Sequence, residues 1–256
     1  MMATGVSERI NNHLKELRLP TIKECFTDCA NSARSESFTF EEYLLELVER
    51  ECEDRTARRI ERYLRESRLP HEKSFHTFDM KRLPVKVRAQ VDHLLDGTFL
   101  DRHDNVLVFG NIGSGKSHLV SAVCQELVYR QQRRPYFTPS SLLIQDLLVA
   151  KRALKLKNRL RYYDRYDMIC IDDIGYVQHD RDEMEILFSL LAHRYERASV
   201  MITSNLPFSK WEQIFKDPMT AAAAVDRLIH HSVIIELNLP SYRLEHSSGQ
   251  KAEEQK

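Results

Sequence analysis

A glycine-rich turn set between a short apolar run and an amphipathic one constrains this chain more than any other feature. Asn105-Val-Leu-Val-Phe109 leads into Gly110-x-x-x-x-Gly115-Lys116-Ser117, and Leu119, Val120, Ala122, Val123 and Leu127 then recur at helical spacing. In such a strand, loop and helix, the glycines let backbone amides turn inward around phosphate oxygens and the helix adds its positive N-terminal end. Lys116 would reach the β- and γ-phosphates of a nucleotide, and the Ser117 hydroxyl would hold Mg²⁺. The nucleotide-binding set is therefore Gly110, Asn111, Ile112, Gly113, Ser114, Gly115, Lys116, Ser117 and His118.

A site of this kind needs a second half, a buried strand that ends in an acid. Met168-Ile169-Cys170-Ile171-Asp172-Asp173 supplies one. Asp172 is the expected Mg²⁺ residue, acting directly or through the metal's water shell. Asp173 sits where a general base would polarise the attacking water, or else is only another anion near the metal. A carboxylate one methylene shorter than Glu must reach further, so slow or partner-dependent hydrolysis is expected.

The 38 basic and 38 acidic residues cancel, so a polyanionic partner must be met by a local patch. At 256 residues and 42% hydrophobic content, the length suits one large domain and one small one. The five cysteines, Cys25, Cys29, Cys52, Cys124 and Cys170, show no paired zinc spacing and read as thiols in a reducing compartment. No run is apolar enough to span a membrane and no signal-peptide core opens the chain, so a cytoplasmic protein without a membrane partner is expected.

Residues 7–68 read as helix, interrupted at Pro20 and at the polar Asn31-to-Ser37 stretch, with Pro70 closing the segment. Beyond it, strands fit at 105–109, 135–138, 168–172, 199–203 and 233–237 with helices between. That alternation predicts an α/β fold, a five-stranded mainly parallel sheet behind a small all-helical domain. The expected division is a helical domain over 1–70, an ATPase domain over 71–244 and a disordered tail over 245–256, with Phe75-to-Asp79 as the connector.

Two basic segments survive the neutral total. Arg55, Arg58, Arg59, Arg62 and Arg65 share one face of a helix, either as a stripe for DNA phosphates or as a solvated face paired with Glu51, Glu61 and Glu66. Lys151, Arg152, Lys155, Lys157, Arg159 and Arg161 lie in a stretch without an acid, followed by Tyr162, Tyr163 and Tyr166. Charge beside rings that stack on bases suits nucleic acid; the alternative is a basic helix surface over core tyrosines.

Taken together, the phosphate loop, Ile-Asp-Asp-Ile-Gly-Tyr176, Ile-Thr-Ser-Asn205, Trp211, Asp226-Arg227-Leu228 and Ser241-Tyr242-Arg243 resemble the IstB family. These are ATP-binding helper proteins of insertion sequences, related to DnaC helicase loaders and DnaA initiators of the AAA+ class. The resemblance extends to Leu-x-x-Leu-x-Leu-Pro20 and Arg-x-x-Arg-Arg-Ile60. Asn111 and Ile112 stand where many relatives carry Pro and Thr, and Asp173 where many carry Glu. The resemblance implies ATP and Mg²⁺ as cofactors and Lys116, Asp173, Asn205 and Arg227 as the catalytic set. Asn205 resembles a sensor that orients water, with a turn cap as its plainer reading. Arg227 resembles a finger offered to a neighbouring subunit, or else pairs with Asp226 or Asp217. Arg243 resembles a second sensor.

The expected function is that of an ATPase which oligomerises on duplex DNA with little sequence preference and hands it to the transposase of the same element. A DnaC-type helicase loader is the alternative. A small-molecule phosphotransferase and a non-catalytic, nucleotide-gated DNA scaffold also use such a loop.

Overall fold

A computed structural model describes residues 2–175, 180–207, 210–211 and 228–242. Its contacts form two compact units, Met1–Arg62 and Tyr63–Lys256, with the boundary inside a long helix. Among the described residues no helix is long and apolar enough to cross a membrane.

The first unit holds α1 (Met2–Glu16), α2 (Pro20–Glu36) and most of α3 (Phe40–Ser67). Ile22, Cys29 and Leu47 form its small buried core, edged by Leu14, Leu19, Phe26 and Tyr43. Pro20 does not merely interrupt the helix. It occupies the first turn of α2, where a missing N–H costs nothing and the fixed φ suits the helix. Nor does the polar stretch break α2, which continues to Glu36 and ends on Ser37 in the left-handed region (φ 57°). Glu51 of α3 caps α2 from outside. One of its carboxylate oxygens accepts from the amides of Thr21 (2.9 Å) and Ile22 (3.1 Å), and the other from Arg55 Nε (2.8 Å). Burial works against that charge, but the bonds from Arg55, Ile22 and Thr21 outweigh it and hold the Glu51 pKa below the ordinary value.

The second unit continues through a 3₁₀ turn (Met80–Arg82), α4 (Val85–Leu95), α5 (Thr98–Asp101), β1 (Asn105–Gly110), α6 (Lys116–Gln131), β2 (Pro135–Pro139), α7 (Ser140–Arg152), α8 (Leu156–Tyr163), β3 (Met168–Ile174), α9 (Arg181–Arg194), β4 (Ser199–Ser204) and β5 (Ser232–Leu237). All described strands run parallel, in the order β2-β3-β4-β1-β5. Both sheet faces are covered, which is why the strands read as continuous apolar runs. Leu107, Phe109, Ile169 and Ile171 pack with α7, α8 and α9 on one face; Val106, Val108, Met168 and Cys170 pack with α4 and α6 on the other. All five cysteines are free thiols; Cys124 and Cys170 face each other in the core with sulfurs 3.1 Å apart.

At the end of the sheet opposite the loop, Asn105 ties strands together by accepting from the Val200 amide (3.0 Å) and donating to Leu228 O (3.3 Å). Arg194, almost fully buried, donates to the carbonyls of Tyr163, Tyr166, Asp167 and Ser199 at 3.0 to 3.3 Å. Burial lowers its pKa to about 10, which leaves it charged at neutral pH.

Because the Glu51 pKa is depressed on folding, its contribution is present above the unfolded pKa and is lost as pH falls through the folded value. Glu51→Gln should therefore cost about 1–2 kcal/mol at pH 7. In circular-dichroism melts, the gap between parent and variant should close as pH drops below about 4.

Candidate functional site

The phosphate loop leaves β1 at Gly110 and enters α6 at Lys116, and its backbone demands its glycines. Gly113 (φ +80°) and Gly115 (φ +96°) are left-handed, a region that side chains rarely tolerate. A Cβ on Gly113 would lie 2.1 Å from Ser241 Oγ, and one on Gly110 would lie 2.5 Å from Leu237 O. The loop is thus pinned between β1 and the segment that follows β5, where Tyr242 N–H donates to Gly113 O (3.0 Å). Lys116 is buried, its ammonium donating to the carbonyls of Gly110 (2.9 Å) and Asn111 (3.0 Å). The Ser114 hydroxyl is buried with no hydrogen-bond partner. A cradle that excludes side chains, a lysine folded onto its rim and an orphaned hydroxyl all fit a polyphosphate.

The acidic half comes from β3 and is organised by β4. Thr203 bridges the two, its hydroxyl donating to Asp172 Oδ1 (2.7 Å) and accepting from the Asp173 amide (2.8 Å). The β3 register against β4 shifts between Ile171 and Ile174, and Asp173 takes a left-handed backbone (φ 57°). The bulge turns Asp173 outward while Asp172 stays buried. An aspartate suits that conformation, in which Asp and Asn are several-fold enriched. The Ser140 hydroxyl holds the same peptide by donating to Asp173 O (3.0 Å).

Asp173 and Asn205, at the ends of β3 and β4, open onto one cleft with Ile112 through His118. The cleft measures about 350 Å³. Asp172 does not line it. It is also lined by Thr77, Phe78 and Asp79 of the segment read from sequence as a connector, and by Lys73 and Arg82 on either side of that segment. Phe78 packs edge-on against the His118 ring (5.1 Å) and beneath Gly115, while His118 Nε2 lies 3.0 Å from Ser74 O and 3.1 Å from Thr77 Oγ1. Arg82 donates to Pro240 O (3.0 Å) and lies over the Tyr242 ring (5.1 Å), tying that side of the cleft to Leu239 and Tyr242. The only prior signal for these residues was an aromatic pair, Phe75 and Phe78, upstream of β1. Arg227 and Arg243 lie outside the described residues, as do Asp217, Asp226 and the expected tail.

The basic segments divide into exposed and occupied groups. Arg55, Arg58, Arg59, Arg62 and Arg65 are all exposed along α3. Arg55 also donates to Glu51 and to Arg18 O, and Arg58 to Asp54 and Thr21. In the second segment Arg152, Lys155, Lys157 and Arg161 are exposed, while Lys151 pairs with Glu185 (3.3 Å). Arg159 is held by Asp146 (2.5 Å) and stacks on Tyr162 (4.3 Å), so it belongs to the fold. The tyrosines also need correction as stacking platforms. Tyr163 and Tyr166 are core residues packed on Tyr136, and burial, with hydrogen bonds to Asp146 and Tyr162 respectively, raises both phenol pKa values. Tyr162 is half-buried, bracketed by Arg159 and Arg165.

A family model described as IstB-like ATP binding protein matches residues 12–250. An insertion-sequence ATP-binding protein of Sinorhizobium fredii is 41% identical over 236 residues, 92% of this chain and 79% of that one. The corresponding protein of insertion sequence IS5376 from Geobacillus stearothermophilus is 34% identical, covering 93% of this chain and 95% of its own. In fold, the chain is similar to the DnaC helicase loader (TM-score 0.56, 14% identity, 65% of this chain and 97% of that one) and to AMPPCP-bound DnaA from Aquifex aeolicus (0.55, 14%, 73% and 56%). The second unit thus has the AAA+ P-loop fold.

The cradle makes a direct prediction. Gly113→Ala places a Cβ at positive φ against Ser241, and ATP affinity measured by calorimetry should fall at least about tenfold, or about 1.4 kcal/mol. Asn111→Ala, at an exposed position off the cleft, should change it by about twofold or less.

Proposed function

The chain belongs to the IstB-like ATP-binding protein family, and from that premise we propose that it hydrolyses ATP and uses the nucleotide to govern an oligomeric grip on duplex DNA that serves a transposase. The observation that carries this reading is the convergence of the Ile112–His118 loop, Asp173 and Asn205 on one cleft. A phosphate cradle alone binds; a cradle facing a carboxylate and an amide has the parts to position water.

In this reading the loop amides and Ser114 hold the phosphate chain, and Lys116 leaves the Gly110 and Asn111 carbonyls to neutralise the γ-phosphate. Mg²⁺, when bound, would offset phosphate charge, with Ser117 as its direct ligand and buried Asp172 acting through its water shell. Asp173 accepts the proton of the attacking water, and Asn205 orients that water by hydrogen bonding. Thr203 fixes the Asp172 carboxylate and the Asp173 backbone. Arg227 of a neighbouring subunit stabilises the charge that develops as the phosphate leaves, so turnover requires assembly. Arg243 takes the part of a second sensor.

Duplex DNA is assigned to the exposed cations, the α3 stripe from Arg55 to Arg65 and the set Arg152, Lys155, Lys157 and Arg161. Transposition rather than helicase loading is supported by the 41% identity to an insertion-sequence protein, against 14% to DnaC. A small-molecule kinase finds less support, because the cleft offers carboxylate and amide groups for water and the basic surface suits a polyanion.

Anisotropy titrations of a labelled duplex across salt test this directly. Binding should be much tighter with a non-hydrolysable ATP analogue than with ADP, because assembly makes many weak contacts one multivalent grip. Replacing Arg152, Lys155 and Lys157 with alanine should shallow the log–log salt slope by up to about three units, at about 0.9 per phosphate. Equal affinity in the two nucleotides, or an unchanged slope, would contradict the assignment. At the chemical step, Asp173→Asn should keep ATP binding and reduce turnover at least about a hundredfold.

A further inference from the structure

Helix α6 carries polar side chains where its neighbours are core. Ser121 (0% exposed) and Gln125 (6% exposed) lie on the face that His118 begins, at i, i+3 and i+7. Among Leu119, Val123, Cys124 and Leu127 of the same helix, all buried, an amide and a hydroxyl cost desolvation unless they are hydrogen-bonded. All three side chains meet one target, the irregular segment between α3 and the 3₁₀ turn. Gln125 Nε2 donates to the carbonyls of Pro70 (3.1 Å) and Lys73 (3.0 Å), Ser121 Oγ donates to Pro70 O (3.2 Å), and His118 Nε2 lies 3.0 Å from Ser74 O. A carbonyl only accepts, so Nε2 carries the His118 proton. The segment has no helix or strand of its own to take these carbonyls, and α6 supplies their partners.

The held segment lines the nucleotide cleft through Lys73, Thr77 and Phe78. It also supports the phosphate loop, because Phe78 packs beneath Gly115, where an added Cβ would lie 3.2 Å from its ring, and edge-on against His118. Apolar packing alone would let such a segment slide along the helix, whereas directional hydrogen bonds to particular carbonyls fix its register. Neither Ser121 nor Gln125 lines the cleft. The geometry points to Ser121 and Gln125 as positioning residues for the nucleotide: by fixing Pro70 and Lys73 on α6, they hold Phe78 against the loop and keep in place the side of the cleft that the phosphates leave to the nucleoside. Loosening them frees that side and shortens the lifetime of bound ATP without touching Asp173, Thr203 or Asn205. This rests on the reading of the cleft as an ATP site and adds to it a pair of groups that govern nucleotide retention from outside the cleft.

The test uses the full chain and follows a fluorescent ATP analogue by stopped flow, with single-turnover hydrolysis measured at saturating ATP. Gln125→Leu roughly keeps the volume and removes both bonds from that side chain to the segment. It should release the nucleotide about tenfold faster and raise Kd by a similar factor. Hydrolysis at saturation should stay within about twofold of the parent, since the acidic half of the site is untouched. Ser121→Ala removes a single bond to the segment and little volume, so it keeps the test decisive if Gln125→Leu folds poorly. It should speed dissociation by about threefold. A double-mutant cycle with Phe78→Leu separates positioning from a general loss of stability. With Phe78 truncated the segment no longer bears on the loop, so adding Gln125→Leu should change dissociation by about twofold or less. Unchanged dissociation in both Gln125→Leu and Ser121→Ala, effects that add in full to that of Phe78→Leu, or an equal fall in hydrolysis at saturation would each overturn the positioning role. A parent that fails to bind the analogue would overturn the ATP reading itself, and the positioning role with it.

Discussion

The site depends on β4 lying between β1 and β3. A chain running straight from the phosphate loop to the acidic strand would leave nothing between them but backbone. With β4 inserted in parallel register, Ser204 lies beside Phe109 and Ile202 beside Ile171, so the ends of all three strands reach one edge. Thr203 can then hold both Asp172 and the Asp173 amide with one hydroxyl. The β3 bulge follows from the same junction. Asp172 is drawn in and Asp173 is turned out, giving two adjacent carboxylates different surroundings.

Much of this was legible in the sequence because buried parallel strands leave a strong signal. Each of the expected strands lies within one or two residues of the observed bounds at either end, since helices on both sheet faces require near-continuous apolar runs. The phosphate loop was equally plain, because its glycines answer to positive φ and excluded side chains rather than to tertiary accident. What stayed hidden depends on distant pairing. Thr203 looked like any polar residue ending a strand until β4 was placed against β3. Arg82 gains its place through Pro240 and Tyr242, more than a hundred and fifty positions away. Tyr163 and Tyr166 looked available because aromatic residues after a basic run carry no mark of burial, and only Tyr136 on β2 shows that they are core. Both expected interruptions are present, at residues 17–19 and 37–39, with local chemistry setting their bounds. Pro20 opens a helix as readily as it stops one, and the polar end of α2 remains helical up to a left-handed cap.

The charge distribution separates buried or fold-committed cations from exposed ones. A total that cancels contains arginines buried in or committed to the fold, such as Arg159 on Asp146 and Arg194 on four carbonyls, and exposed cations on α3 and around the α7–α8 turn, among which Arg55 and Arg58 are also paired with Glu51 and Asp54. The proposed DNA contact draws on the exposed set, so a bare count of basic residues overstates it. The nucleotide cleft and the α7–α8 turn share the sheet framework: α7 starts at Ser140, which holds the Asp173 peptide, and ends at the turn between Arg152 and Lys155. One hydrogen bond and the length of α7 thus join the acidic pair to the exposed cations at that turn.

The most direct test of the account is single-turnover ATP hydrolysis by Thr203→Val and Thr203→Ser, with nucleotide affinity measured separately. Valine keeps the volume and removes the hydroxyl that joins β4 to both acids. Thr203→Val should bind ATP within about threefold of the parent and hydrolyse it at least about tenfold more slowly, while Thr203→Ser should restore most of the rate. Hydrolysis by Thr203→Val at the parental rate would contradict the claim that β4 assembles the active site.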